Sequence, residues 1–127
     1  MLEARILARE YGSPGTLKPV EALWGPLVTK PNPADVEDWY KISVFPNLME
    51  TLGVYVSDGL ISEELVYKLW GGAIVSAWQQ WANPIYRLRI LSKTQEVWVY
   101  FEYLNARMAA LLEADRAGRG SLRPSGP

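Results

Sequence analysis

Four charged side chains in this sequence sit in unusually apolar surroundings. Glu50 lies in LMETLG, Glu102 in YFEYL, and Arg87 and Arg89 in YRLRIL. Carboxylates and guanidiniums so placed do one of two things. They pair across helices as a buried or half-buried network, or they line a polar pocket for a ligand. The other helix-borne carboxylates, Glu63, Glu64 and Glu96, suit helix N-termini, where a negative charge meets the positive end of the dipole.

The chain contains no histidine and no cysteine. This removes the usual general base, the usual zinc ligand, the serine and cysteine triads, thiolate chemistry and disulfides. Two-metal carboxylate sites in helical bundles rely on Glu-x-x-His pairs, which cannot be built here. Catalysis would have to run on Asp, Glu, Lys, Arg and Tyr alone. The expectation is no enzyme, no metal and no cofactor.

Phosphate binding fares little better. Arg87, Arg89 and Lys93 cluster, and Arg116, Arg119 and Arg123 follow, but no G-x-x-x-x-G-K-[ST] loop occurs. Thirteen basic residues against 14 acidic ones give a net charge of -1. No field of that size gathers a polyanion, so nucleic acid is not an expected partner. Six tryptophans remain. Trp70 and Trp78 fit a core stripe. Trp81, at a helix end beside Gln79 and Gln80, and Trp98, beside Tyr100, are expected to be partly exposed. Trp and Tyr are favoured at protein interfaces, so Trp81, Trp98 and Tyr100 are the candidate interface.

The elements that must position these residues are read from spacing and breakers. Residues 2–10 carry Leu2, Ile6 and Leu7 against Glu3, Arg5 and Arg9, an amphipathic helix rather than a signal peptide. Thr16 caps a second short helix with Leu17, Val20, Leu23 and Trp24, ended by Gly25-Pro26. Asn32 and Pro33 start a third, through Val36, Trp39, Ile42, Phe45, Met49, Leu52 and Val56. Pro46 inside it predicts a kink near Ile42–Ser43 or two abutting helices. Gly59 is a left-handed stop.

From Ser62 to Trp81 the text is SEELVYKLWGGAIVSAWQQW, apolar on nearly every side, as a helix inside a bundle would be. Gly71-Gly72 at its middle predicts a helix crossing there at close range. Asn83-Pro84 predicts a restart into a short helix with Ile85, Leu88 and Leu91. A last helix from near Thr94 buries Val97, Phe101, Leu104, Met108 and Leu111. The charge-free run from Leu69 to Tyr86 is interrupted by Gln79, Gln80, Asn83 and Pro84, so no membrane span is expected.

These elements predict an all-α fold, an irregular or orthogonal bundle of five to six helices around a central apolar helix. One domain over residues 1–116 is followed by a flexible tail over 117–127.

Three stretches also carry a family likeness: Glu50-Thr51-Leu52-Gly53 (E-x-x-G), Gly59 to Val66 (G-x-I-S-E-E-L-V) and Phe101 to Leu104 (F-E-x-L). With Trp78 and an arginine at 87 or 89, they resemble an uncharacterised bacterial helical family catalogued as domain of unknown function 4760. The likeness covers roughly residues 20–112, and implies a helical fold and no particular activity. The functional expectation is a non-enzymatic, cytoplasmic protein-interaction or regulatory module that binds a protein partner or itself. The alternative is a small-molecule-binding helical domain with an aromatic pocket.

Overall fold

A computed structural model describes residue 27 and residues 29–121. The two N-terminal helices expected at 2–10 and 16–24 lie outside the described residues, as do residues 122–127. Within them the chain is all-α: α1 (Pro33–Ser57), α2 (Glu63–Ser92) and α3 (Val99–Ser121). The expectation of five to six helices is not met among the described residues. Two internal prolines, Pro46 and Pro84, lie within continuous helices.

Local chemistry explains each helix boundary. Asn32 is extended, and its Oδ1 accepts from the Asp35 backbone N–H at 3.0 Å, with Pro33 next in the chain. That is an Asn cap followed by a proline whose missing N–H costs nothing in the first turn. α1 then runs through Pro46, which is buried in the core. The abutting-helix expectation is thereby corrected, because packing of the ring compensates the one lost ladder bond. At the far end Gly59 adopts φ +76° and the Leu60 N–H returns to the Tyr55 carbonyl at 2.9 Å. This closes the helix as a left-handed stop does.

Ser62 caps α2, its Oγ accepting from the Leu65 N–H at 3.2 Å. α2 then continues through Asn83-Pro84 to Ser92, so the expected restart at Pro84 is also corrected. Pro84 lacks the donor that would meet the carbonyl of Gln80. Gln80 is exposed, so water can satisfy that carbonyl. α2 ends at Lys93, a non-glycine residue with φ 57°. α3 starts later than expected, at Val99 rather than near Thr94, and Val97 and Trp98 belong to the turn before it. It then extends through residues 117–121, which the sequence suggested as tail.

α3, not the Ser62–Trp81 segment, is the helix that packs closely on both others. α1 and α2 meet through large aromatics. Phe45 of α1 stacks on Trp81 of α2 at 6.3 Å between ring centroids, and Phe101 of α3 meets the edges of Phe45 and Trp78 at 5.9 and 5.0 Å. Ile42, Met49, Val66, Ile74, Ile85, Leu88, Leu104 and Met108 fill in around them. Such edge-to-face pairs contribute beyond the area they bury. Leu65 and Leu69 on α2 are exposed.

The glycine expectation is corrected as well. A Cβ on Gly72 would meet nothing within 4 Å, and one on Gly71 would meet the Tyr67 ring of the same helix at 2.5 Å. Gly71 therefore lets Tyr67 lie flat along α2, from where its hydroxyl donates to Asp115 of α3 at 3.0 Å. Close backbone approach occurs elsewhere, at Gly53 on α1. A Cβ there would stand 2.2 Å from the Tyr100 carbonyl oxygen.

Candidate functional site at the start of α3

The first turn of α3 collects most of the residues singled out by type and spacing. Its free backbone N–H groups point toward α1, and Glu50 answers them. One carboxylate oxygen, Oε1, accepts from the N–H of Tyr100 at 2.8 Å and of Phe101 at 2.9 Å. A cap normally comes from the preceding residue of the same chain segment. Here it comes from another helix, fifty residues earlier, and places a negative charge on the positive end of the dipole. One turn after Glu50, Gly53 leaves room for the Tyr100 carbonyl. The E-x-x-G step is thus one docking device: the Glu binds the N–H side of Tyr100 and the Gly admits its C=O side.

α2 holds the same turn from the other flank. Arg89, 6% exposed, donates from Nε to the Val97 carbonyl at 2.9 Å and from Nη1 to Glu102 Oε1 at 2.7 Å. Glu102 is half-buried, and the Arg89 guanidinium also lies 5.6 Å from the Tyr86 ring centroid. The pair joins the end of α2 to the linker and to α3, so breaking one side would leave a buried charge. The expected network of Glu50, Arg87, Arg89 and Glu102 therefore divides. Arg89 and Glu102 form the ion pair, Glu50 caps a helix instead of meeting an arginine, and Arg87 is exposed on α2.

The tryptophans are placed differently from expectation. Trp81 is fully buried and Trp98 is buried, so both leave the candidate interface as core residues; the helix-end position of Trp81 disappears because α2 runs eleven residues further, to Ser92. Trp98 has φ 50°, a region costly for a bulky side chain. Its setting holds it there: the indole N–H donates to Asn47 Oδ1 at 2.7 Å, Trp39 stacks at 6.2 Å and Trp81 meets it edge-on at 6.3 Å. Tyr100 alone of the three stays at the surface, 38% exposed, its ring 6.3 Å from that of Tyr103 in a T-shaped pair.

Sequence reasoning missed Asn47, Arg107, the role of Gly53 and the α2–α3 contact of Tyr67 with Asp115. Arg107 binds Glu63 through Nε at 2.5 Å and through Nη2 at 3.0 Å. The hydrogen bond from Arg107 holds the Glu63 carboxyl below its usual range, against a smaller opposing effect of burial, and Glu63 in turn raises Arg107. A signal for Gly53 was present in E-x-x-G; none singled out Asn47 or Arg107.

The G-x-I-S-E-E-L-V stretch supplies the stop at Gly59, the cap at Ser62, the ion pair at Glu63 and the buried Val66. The F-E-x-L stretch supplies buried Phe101 and Leu104 around the paired Glu102. A family model described as domain of unknown function (DUF4760) matches residues 2–108. The chain belongs to the DUF4760 family. No curated protein and no solved structure matches it. In this DUF4760 chain the motif stretches carry helix-to-helix docking. Among the described residues, no group of three or more His, Cys, Asp or Glu side chains could hold a metal, and no helix is long and apolar enough to cross a membrane.

Proposed function

We propose that the chain is a non-enzymatic, cytoplasmic protein-interaction module that presents the start of α3 as its contact surface. The carrying observation is the Tyr100–Tyr103 ring pair at 6.3 Å, exposed beside Val99 on a turn fixed from both flanks. The Tyr100 backbone is bound at its N–H by Glu50 and seated over Gly53 at its carbonyl. Aromatic side chains on a backbone already fixed lose little entropy on binding, which is what an interface anchor requires. The charged groups nearby are engaged in holding helices, which leaves surface contact as the function this turn supports best. The partner is a protein, or a second copy of this chain.

The test is replacement of Tyr100 and Tyr103 by Ser, singly and together. Sedimentation and partner capture are expected to weaken, while stability stays within about 1 kcal/mol. Unchanged association in the double variant refutes the proposal.

A second reading, small-molecule binding, draws on two buried donors without a hydrogen-bond partner, Trp81 Nε1 and Arg89 Nη2. They lie eight residues apart on α2. Retention of a defined molecule through purification would favour it.

A further inference from the structure

The buried face of α2 repeats every seven residues, at Ile74, Trp81 and Leu88. Across the helix axis a second stripe runs from Leu65 to Ile90 at alternating steps of four and three. Those steps are the spacing of a coiled-coil seam. Every residue on the stripe is exposed. Its ends are apolar, with Leu65 51% and Ile90 74% exposed, and Leu69 and Tyr86 next to them. Its centre is small or polar: Gly72, Ser76, Gln79 and Asn83.

We propose that a second copy of this chain occupies the stripe, α2 against α2, antiparallel about a two-fold axis between the levels of Ala77 and Trp78. The order of residues along the stripe selects this occupant. Turned end for end, the stripe meets its own complement. Leu65 comes level with Ile90 of the second copy, and Leu69 with Tyr86. Nearer the axis Gly72 comes level with Asn83, and Ser76 with Gln79. Apolar groups cover apolar groups at both ends, and the Gln79 amide meets the Ser76 hydroxyl at the centre. A surface that complements itself in this way is isologous and closes as a dimer.

Size and charge decide between antiparallel and parallel pairing. In parallel, Gly72 would face Gly72 and Tyr86 would face Tyr86, a gap and then a crowd. Antiparallel, the slimmer half of the stripe lies on the bulkier half at the three inner levels. The charges agree. One step beyond Ile90 stands the exposed Lys93, and one step before Leu65 stands Ser62, followed by Glu63 and the exposed Glu64. Antiparallel pairing brings Lys93 level with that acidic start, whereas parallel pairing sets Glu64 beside Glu64. Lys68 and Arg87 share a level but flank opposite edges of the seam, so no like charges meet there. A seam of about 38 Å along one helix is small beside a permanent interface, so the dimer is reversible.

Because the chain lacks cysteine, single introduced thiols report which residues meet. A short bismaleimide is applied to the full chain. Ser76→Cys is expected to give a dimer-sized product, since the two copies of position 76 lie about 5 Å apart along the axis. Leu65→Cys alone and Ile90→Cys alone are expected to give at least about tenfold less, their own copies being about 38 Å apart. An equal mixture of those two is expected to cross-link well above either. Glu113→Cys, exposed on α3, supplies the background of random encounter. Leu69→Glu, at an exposed position, is expected to raise the dissociation constant at least about tenfold while leaving the melting temperature of the dilute chain unchanged.

Strong product from Ile90→Cys alone assigns a parallel pair and overturns the proposal. So does a mixture no more reactive than its components, or a chain that sediments as a monomer up to about 1 mM. The cross-links are repeated with Tyr100→Ser/Tyr103→Ser added, where they are expected to persist. Their loss there would assign the contact to the start of α3 and overturn the pairing through α2. The two surfaces are thereby read separately.

Discussion

Replacing Gly53 by Ala adds one methyl group where the backbones of α1 and α3 approach closely. The new Cβ would stand 2.2 Å from the Tyr100 oxygen, 2.8 Å from its carbonyl carbon and 3.1 Å from its Cβ. These are backbone or backbone-proximal atoms, so no rotamer change relieves the clash. Restoring ordinary contact needs α3 to retreat by about 1 Å. The Glu50 bonds to Tyr100 and Phe101, at 2.8 and 2.9 Å, then stretch past hydrogen-bonding range. Each bond to a charged group contributes about 1.5–3 kcal/mol, overpacking adds about 1–3 kcal/mol, and the gain in helix propensity returns about 1 kcal/mol.

The helices share the strain, so we expect a net loss of about 2–4 kcal/mol. This is measured by urea unfolding with the m-value held common, alongside Gly72→Ala as the control. Gly72 has open space around it, so its substitution should stabilise by up to about 1 kcal/mol. In a Glu50→Gln background the Gly53→Ala cost should shrink, because the bonds it breaks are already weakened. A Gly53→Ala protein as stable as the parent, or a cost unchanged by Glu50→Gln, would refute the idea that the two residues act as one docking step.

Further outcomes follow from other contacts. Trp81→Ala should cost about 3–5 kcal/mol in thermal or chemical unfolding, as a fully enclosed ring does; a cost below about 1 kcal/mol would return Trp81 to the surface. Glu102→Ala, which leaves the Arg89 guanidinium only the Val97 carbonyl as hydrogen-bond acceptor, should cost about 1–3 kcal/mol and should be partly rescued by adding Arg89→Met. For Glu63 the folded carboxyl titrates below its unfolded counterpart, so its stabilisation is present above the unfolded value and is lost as pH falls through the folded one. Glu63→Gln should therefore be less stable than the parent near neutrality, by at most about 1 kcal/mol for a partly exposed pair, and the difference should close in acid. A gap that widens below pH 4 would contradict that sign.

Helix type, caps and stops were legible because they depend on neighbours in sequence. Asn32, Pro33, Gly59 and Ser62 each act within a turn of their own position. Continuity through Pro46 and Pro84 was not legible, since it depends on whether the orphaned carbonyl finds water or packing, a tertiary matter. The same holds for Gly53 and Gly71. A glycine that admits another backbone and one that admits its own neighbour's ring look alike in sequence. Trp81 was misread because its surroundings were judged from a helix end that does not exist. Glu50 and Glu102 stand out in the sequence by their apolar context, but only the fold distinguishes a helix cap from an ion pair.

Trp39, Trp81 and Trp98 come from α1, α2 and the linker before α3, with Trp98 within 6.3 Å of both others. Three indoles at that separation couple their excited states and share emission by energy transfer. The molecule therefore contains its own optical gauge of assembly: a near-ultraviolet dichroic signal that requires all three pieces in place. Loss of α1 alone would remove the stacked partner and leave the edge-on one, and loss of α2 the reverse. Trp39→Phe and Trp81→Phe variants would thus let a stopped-flow dichroism trace report the order in which the two outer helices join the third.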